Sequence, residues 1–145
     1  TAERDGFTGR PLEYFEHKWD VLNAEEEDRM KVFLAEHEGD VVAATTFVTV
    51  GEHAWYSYGA STTVKREVRG SNAIQWAMIR TANEARCAVY DMRGIVAGVG
   101  ANDPEIGLIQ FKVGSGGQAV AFPGEWDKPI NPILYKAFDL YMKRR

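Results

Sequence analysis

Residues 29–60 read RMKVFLAEHEGDVVAATTFVTVGEHAWYSYGA, and their hydrophobic pattern determines most of the architecture. Met30, Val32 and Leu34 recur at every second position, which is the period of a β-strand. Residues 41–50 are rich in β-branched side chains, and residues 54–60 form a third apolar run. Turns that contain glycine separate the three runs. The pattern therefore predicts three sequential strands in an antiparallel meander.

A helix is predicted before this meander. Pro11 stands at a favourable first helical position, and residues 12–22 carry apolar side chains at helical spacing. Asn23 and the acidic residues 25–27 then resemble a helix cap followed by an acidic first turn. They predict a separate short helical turn just before the first strand.

The region after the meander alternates between helical and strand patterns. Ser71 and Asn72 are predicted to cap a central helix with an apolar stripe over residues 74–85. The apolar run 87–92 follows, and strand–helix–strand order predicts a right-handed crossover with a parallel strand pair. The remaining predictions are a helix starting at residues 103–104, a short strand over 118–122 and an amphipathic helix starting at 131–132.

This order predicts an α+β fold with a mixed sheet flanked by helices. It matches the acyl-CoA N-acyltransferase (GNAT)-like fold that many N-acetyltransferases share. A length of 145 residues accommodates one such domain, over residues 1–145. The chain opens with a charged stub and has no initiating methionine, so we expect it to begin inside a longer protein.

Composition excludes several functional classes. The net charge of −4 lacks the basic footprint of a duplex-binding protein. The three histidines show no metal-ligand spacing, and neither a Gly-x-Ser-x-Gly nor a P-loop pattern occurs, so no metal site is predicted. Cys87 lies in an apolar run and is expected to be an inert thiol. The single cysteine leaves the redox compartment undetermined, and the cytosol is the default expectation for a disulfide-free composition without a signal-peptide pattern.

An ordered set of short motifs resembles the second acyltransferase-like domain of the FemABX family. The motifs are YGAS at 58–61, NAIQW at 72–76, YDMRG at 90–94, GLIQFK at 107–112, GSGG at 114–117 and GEWD-x-PINP-x-x-Y at 124–135. Members of this family are aminoacyl-tRNA-dependent transferases that add amino acids to the peptide stem of peptidoglycan precursors. The resemblance covers nearly the whole chain. It implies aminoacyl-tRNA as co-substrate, no separate cofactor, and a muropeptide acceptor linked to a nucleotide or a lipid.

The resemblance assigns Phe111 and Lys112 to the aminoacyl transfer site. Transfer requires an amine to attack the ester carbon of an aminoacyl-tRNA, and negative charge then develops on the carbonyl oxygen. A positioned ammonium stabilises that charge, and an apolar neighbour that excludes water strengthens the interaction. A lysine in the last turn of a helix is also favoured by the helix dipole alone, which leaves a purely structural role open. Asp91 ends a predicted strand, and we do not assign it as a general base.

The resemblance also implies substrate contacts at Arg10, Tyr14 and Tyr58. Arg10 and Tyr14 are four residues apart, so on a helix they share one face, and a guanidinium suits phosphate oxygens. The alternatives are a surface arginine beside a half-buried tyrosine and, for Tyr58, a core aromatic residue in a strand.

Departures from the family pattern leave the identity of the substrates open. Whole members contain two such domains, so we expect a missing N-terminal domain. Gln110 and Val113 stand where the family usually has basic residues, which weakens the expected tRNA contact. The alternatives are the same chemistry on a peptide natural product in antibiotic biosynthesis, an acetyl-CoA-dependent N-acetyltransferase, and a catalytically silent docking domain. Membrane association would arise only through a lipid-linked acceptor.

Overall fold

The computed structural model describes residue 6 and residues 8–95, 106–124 and 126–143. Within these residues the chain forms four α-helices and four strands. They are α1 (Leu12–Glu25), β1 (Met30–His37), β2 (Asp40–Val50), β3 (His53–Ser61), α2 (Gly70–Glu84), β4 (Val89–Asp91), α3 (Ile106–Gly114) and α4 (Pro132–Met142), with a 3-10 turn at Arg66–Val68 before α2.

The four strands form one mixed sheet in the order β1-β2-β3-β4. The first three pair antiparallel, which confirms the predicted meander. β4 pairs parallel with β3, with Trp55 opposite Asp91, which confirms the predicted parallel pair, and α2 lies between the two strands in the chain. A register shift between Thr46 and Phe47 leaves Ser57 as an extra residue in β3. The architecture is therefore α+β with a mixed sheet and helices.

The core lies between α2 and one face of the sheet. Ala43, Phe47 and Ala54 of the sheet pack with Ile74, Met78 and Ala82 of the helix. Cys87 is partly buried against this cluster, in line with its expected role as a small apolar side chain. α1 contacts the sheet at β1.

Two predicted helix caps are wrong. Asn23 does not start a separate turn but lies inside the last turn of α1, where its side chain bonds both backbone groups of Met30. It thereby holds the end of α1 against the start of β1. The central helix begins at Gly70, and Arg69 occupies the cap position in the left-handed region with no side-chain cap bond, so Ser71 and Asn72 lie inside the first turn.

The predicted strand over residues 118–122 is also wrong. The segment has no regular structure, and the side chains of Val120 and Phe122 are 70% and 81% exposed. Strand composition requires a sheet surface to pack against, and this segment has none among the described residues. α4 confirms the predicted last helix, capped by the Asn131 side chain. The expected features at residues 1–5 and 103–104 lie outside the described residues.

In the described part of the chain, no helix combines the length and the apolar character that crossing a bilayer requires.

Gly70 marks the point where α2 starts against the sheet. A Cβ there would lie 2.7 Å from Val42 Cγ2 and 3.3 Å from Ala35 Cβ. Gly70→Ala should therefore lower the free energy of unfolding by about 1–3 kcal/mol through overpacking, as measured by urea denaturation.

Gly107→Ala in α3 is the matched control. A Cβ at Gly107 meets no atom within 4 Å among the described residues. Because alanine is the better helix former, this change should leave stability unaltered or raise it by up to about 1 kcal/mol. Equal effects of the two substitutions would contradict close packing of α2 at Gly70.

Candidate functional site

Two tyrosines from distant parts of the chain meet on the face of the sheet opposite the core. Tyr14 projects from α1 and Tyr58 from β3, and their hydroxyl oxygens are hydrogen-bonded at 3.1 Å. Phe15 packs edge-on against the Tyr58 ring, with the ring centroids 5.2 Å apart. The backbone N–H of Tyr58 donates to Thr46 Oγ1 at 3.0 Å, which satisfies this group beside the bulge at Ser57. We call this arrangement the tyrosine-pair site.

Two cationic side chains cover the tyrosine pair. The Arg10 guanidinium carbon lies 5.4 Å from the centroid of the Tyr14 ring. The Lys18 ammonium lies 4.9 Å from the centroid of the Tyr58 ring and donates to Ser57 Oγ at 3.2 Å. Among the described residues, neither cation forms an ion pair with a carboxylate. Their charge is therefore directed at aromatic faces and solvent, where an anionic ligand can reach it.

Sequence reasoning predicted three members of this site and missed Lys18. The structure brings Arg10, Tyr14 and Tyr58 together, although Arg10 lies before α1, which begins at Leu12, and not on the helix as its spacing from Tyr14 predicted. Lys18 continues the four-residue spacing from Arg10 through Tyr14, and that spacing was the available signal. Ser57 could not have been found in this way, because its position depends on the bulge in β3.

The tyrosine-pair site adjoins a cavity of 490 Å³. Segments before and within α1 supply one wall, and the three meander strands supply the other. The lining residues are Thr8, Gly9, Arg10, Phe15, Val32, Ala44, Thr45, Thr46, Tyr58, Gly59 and Ala60. The cavity is apolar along the sheet and cationic at Arg10, a combination that suits a ligand with both a charged group and an apolar body.

The hydrogen bond between the two phenols shifts their pKa values in opposite directions. The pKa of Tyr14 is lowered, first by its hydrogen bond with Tyr58. Burial acts in the opposite direction, and the positive charges of Lys18 and Arg10 make smaller contributions that lower this pKa. The pKa of Tyr58 is raised, first by the same hydrogen bond and then by burial, while Arg10 and Arg93 act in the opposite direction. When Tyr14 is ionised, only the Tyr58 O–H can donate, and this hydrogen bond stabilises the Tyr14 phenolate.

A second cavity, of 470 Å³, lies on the core side of β3 at the start of α2. Phe111 of α3 lines it, and the Phe111 and Tyr56 ring centroids are 6.4 Å apart. Gly59 leaves room for the Tyr56 ring in this position, because a Cβ at residue 59 would lie 2.8 Å from Tyr56 Cζ. The basic residues Lys65, Arg66 and Arg69 border the same cavity, although Lys65 is paired with two carboxylates of the β1–β2 turn.

Among the described residues, Lys112 is the one buried residue with a charged side chain, and it is 8% exposed. Its ammonium donates to the carbonyl oxygens of Gly94 at 2.7 Å and of Arg93 at 3.4 Å. These bonds hold α3 against the chain that leaves β4. The sequence pattern could not predict that Lys112 is buried, because the two carbonyl groups that its ammonium binds lie 18 and 19 residues away in the chain.

The two cavities lie on either side of one segment of β3. Gly59 and Ala60 line both of them. Of the predicted substrate contacts, Arg10 and Tyr58 therefore line one cavity, and Phe111 lines the other, with Lys112 buried next to Phe111 in α3. No cluster of potential metal ligands occurs within the described ranges.

The opposite shifts of the two phenols give a direct test by NMR of ¹³C-labelled tyrosine. Tyr14 should titrate below the ordinary tyrosine pKa of about 10 and Tyr58 above it. In Tyr58→Phe, the pKa of Tyr14 should rise toward its ordinary value because it loses the donated hydrogen bond. Tyr135→Phe, which removes an exposed phenol bonded to Asp127, should leave both values unchanged. A pKa of Tyr14 that is insensitive to Tyr58→Phe would contradict the paired arrangement.

Comparisons with known proteins agree on one family. The model of the FemAB family matches residues 21–143. A UDP-N-acetylmuramoylpentapeptide-lysine N(6)-alanyltransferase of Weissella viridescens is 31% identical over 135 residues, which are 92% of this chain and 38% of that protein. The aminoacyltransferase FemA of Staphylococcus epidermidis is 27% identical over 118 residues, which are 80% of this chain and 28% of that protein.

A solved structure, the crystal structure of FemX, matches 68% of this chain and 22% of that chain with a TM-score of 0.46 and 22% identity. The chain thus spans well under half the length of the relatives it matches. Because the family model covers most of the sequence, the chain belongs to the FemAB family.

Proposed function

We propose that this chain is the C-terminal, GNAT-like domain of a two-domain aminoacyltransferase. The enzyme would join an amino acid carried by aminoacyl-tRNA to an amine on the peptide stem of a peptidoglycan precursor. Family membership supports the transferase class, and the matched relatives are named as aminoacyltransferases. The chain covers 38% of the alanyltransferase, so the proposal assigns the rest of the active site to a further domain.

The proposal that this chain binds the acceptor rests on the tyrosine-pair site. A nucleotide-linked muropeptide contains a diphosphate, and Arg10 and Lys18 supply cations beside two phenolic hydroxyls. Charge-assisted hydrogen bonds to phosphate are among the strongest that side chains make. The adjoining 490 Å³ cavity offers an apolar wall along the sheet to a further part of the ligand.

The cavity at Phe111 is the proposed donor site. Phe111 gives an aromatic surface for stacking of a base at the tRNA acceptor end, and Arg66 and Arg69 give local positive charge for its phosphates. This local charge matters because the chain as a whole is acidic. Gly59 and Ala60 line both cavities, so donor and acceptor would approach each other across this part of β3.

The proposed transfer is nucleophilic substitution at the aminoacyl ester. The acceptor amine attacks the ester carbon and loses a proton, and the C–O bond to the ribose breaks as the ribose oxygen gains one. Lys112 is held by the Gly94 carbonyl in a largely buried position, so its charge is oriented before substrate binds. A charge of this kind stabilises the negative oxygen that develops in the transition state. Phe111 beside it limits the access of water.

A second function, acetyl-CoA-dependent N-acetylation, is favoured by the position of the 470 Å³ cavity at the start of α2. Backbone N–H groups at a helix N-terminus suit a pyrophosphate. The side chains of Arg69 and Asn72 line this cavity and occupy space that a bare backbone would leave open, which is why we rank this function second. A peptide natural product remains an alternative acceptor. We place the reaction in the cytoplasm, with membrane contact only through a lipid-linked acceptor.

The direct test is transfer of a radiolabelled amino acid from charged tRNA to UDP-linked muropeptides and to peptide amines. The assay should compare this chain with a longer protein that carries it, and we expect activity in the longer protein. Lys112→Met should lower kcat by roughly 10²–10³-fold, the loss typical of one electrostatic contact to a developing oxyanion. Lys136→Met, which removes an exposed lysine of α4, is the matched control and should retain full activity.

Two results would contradict the proposal. Acetylation from radiolabelled acetyl-CoA, with no transfer from charged tRNA in either protein, would favour the N-acetyltransferase. Unchanged kcat in Lys112→Met would remove Lys112 from the transfer step.

A further inference from the structure

The parallel pairing of β4 covers only the first part of β3. β4 ends at Asp91, opposite Trp55, whereas β3 continues to Ser61. From Tyr56 onward, β3 pairs with β2 alone within the described residues. This part of β3 and two side chains of α3 line the 470 Å³ cavity, and the β3 residues are Tyr56, Gly59, Ala60 and Ser61. The cavity therefore adjoins the part of β3 that has one neighbouring strand fewer.

The hydroxyl group of Tyr56 lies where the two cavities adjoin. The Tyr56 ring packs against the core cluster and against Phe111, with the two ring centroids 6.4 Å apart. Its hydroxyl oxygen lies so close to Gly59 that a Cβ at that residue would overlap it. A glycine within a strand is typical of such a close approach. Because Gly59 lines both cavities, the hydroxyl lies where the proposed donor and acceptor would meet.

This hydroxyl is available to a ligand. Among the described residues, no group forms a hydrogen bond with it, whereas the nearby Tyr90 hydroxyl donates to Oε1 of the buried Gln75 at 2.7 Å. Burial raises the pKa of the Tyr56 phenol, so this group keeps its proton at neutral pH. The cavity wall thus contains a neutral O–H donor whose hydrogen bond is not used by the fold.

We propose that the Tyr56 hydroxyl is a catalytic group that donates a hydrogen bond to the carbonyl oxygen of the activated acyl group, and that Gly59 is the positioning residue that leaves space for it. As the acceptor amine attacks the carbonyl carbon, an electron pair of the C=O bond moves to the oxygen, and the hydrogen bond becomes stronger. The pair returns when the bond to the leaving oxygen breaks, and the phenol keeps its proton throughout. This inference rests on the proposed function, because it adds a group to the donor half of the same reaction.

Tyr56 and Lys112 have different positions relative to the cavity. The Lys112 ammonium is bound by the carbonyl groups of Arg93 and Gly94, and the described residues that line the cavity include Tyr56 but not Lys112. The charge of Lys112 would therefore act on the developing oxyanion at longer range. The Tyr56 hydroxyl would make the direct contact.

The first test is the kinetics of Tyr56→Phe in the longer protein with charged tRNA as donor. We expect kcat to fall roughly 10–100-fold, as for loss of a hydrogen bond to a developing oxyanion, with KM for the acceptor within about threefold. The free energy of unfolding should not fall, because the hydroxyl has no partner among the described residues. Tyr90→Phe is the matched control, which should lower stability through loss of the bond to Gln75 but leave kcat unchanged. An unchanged kcat in Tyr56→Phe would overturn the proposal.

The second test separates this inference from failure of the proposed function. The probes are an amide-linked aminoacyl-RNA minihelix and a ketone analogue of acetyl-CoA, which both keep the carbonyl oxygen but transfer nothing. The ¹³Cζ resonance of Tyr56, assigned by its loss in Tyr56→Phe, should shift when the RNA probe binds the longer protein. A shift with the CoA analogue alone would contradict tRNA dependence and retain the role of Tyr56. No shift with either probe would overturn that role, whether or not the protein transfers an amino acid.

The third test addresses Gly59. Gly59→Ala should displace the Tyr56 ring and lower kcat, and adding Tyr56→Phe should lower kcat no further, because both changes remove the same hydrogen bond. Gly107→Ala, where a Cβ meets no atom within 4 Å among the described residues, is the control and should leave kcat unchanged. Independent, multiplying losses from Gly59→Ala and Tyr56→Phe would overturn the positioning role of Gly59.

Discussion

The parallel pairing of β4 with β3 is the constraint on which the rest of the arrangement depends. A parallel pair requires a crossover, and α2 provides it by packing over the sheet from Gly70 onward. The pairing brings the end of β4 to the middle of β3, close to the bulge at Ser57. Without it, the chain that leaves β4, and Lys112, which binds that chain, would have no fixed position relative to β3.

The bulge in β3 adds a second constraint. An extra residue changes the local alternation of the strand, so that Tyr58 faces α1 while Tyr56 packs toward Phe111. Two neighbouring tyrosines of one strand thereby serve two cavities. Gly59 lies between these cavities and gives the Tyr56 ring the space that a side chain would fill. The proposed meeting of donor and acceptor at this point follows from strand geometry.

Local patterns in the sequence were sufficient to predict the meander, the parallel strand pair and the main helices. The spacing of apolar residues indicates which face of a helix or strand is buried. They failed at residues 118–122, where a strand-like composition has no partner strand, and at Ser71 and Asn72, where Arg69 starts the helix instead. The resemblance named Arg10, Tyr14 and Tyr58 as substrate contacts but did not predict the hydrogen bond between the two phenols, which are 44 residues apart in the chain. Tyr14 lies four residues after Arg10. Lys18 followed the same spacing, whereas the contacts of Arg93 and Lys112 depend on tertiary structure that no local pattern encodes.

The central claim is that the tyrosine-pair site binds the anionic part of the acceptor. A crystal structure of the longer protein with UDP-N-acetylmuramoylpentapeptide tests it most directly. We expect the diphosphate within hydrogen-bond distance of the Arg10 guanidinium group, next to the Tyr14 and Tyr58 hydroxyls. A diphosphate bound instead at the start of α2, among Arg66, Arg69 and Asn72, would contradict the account.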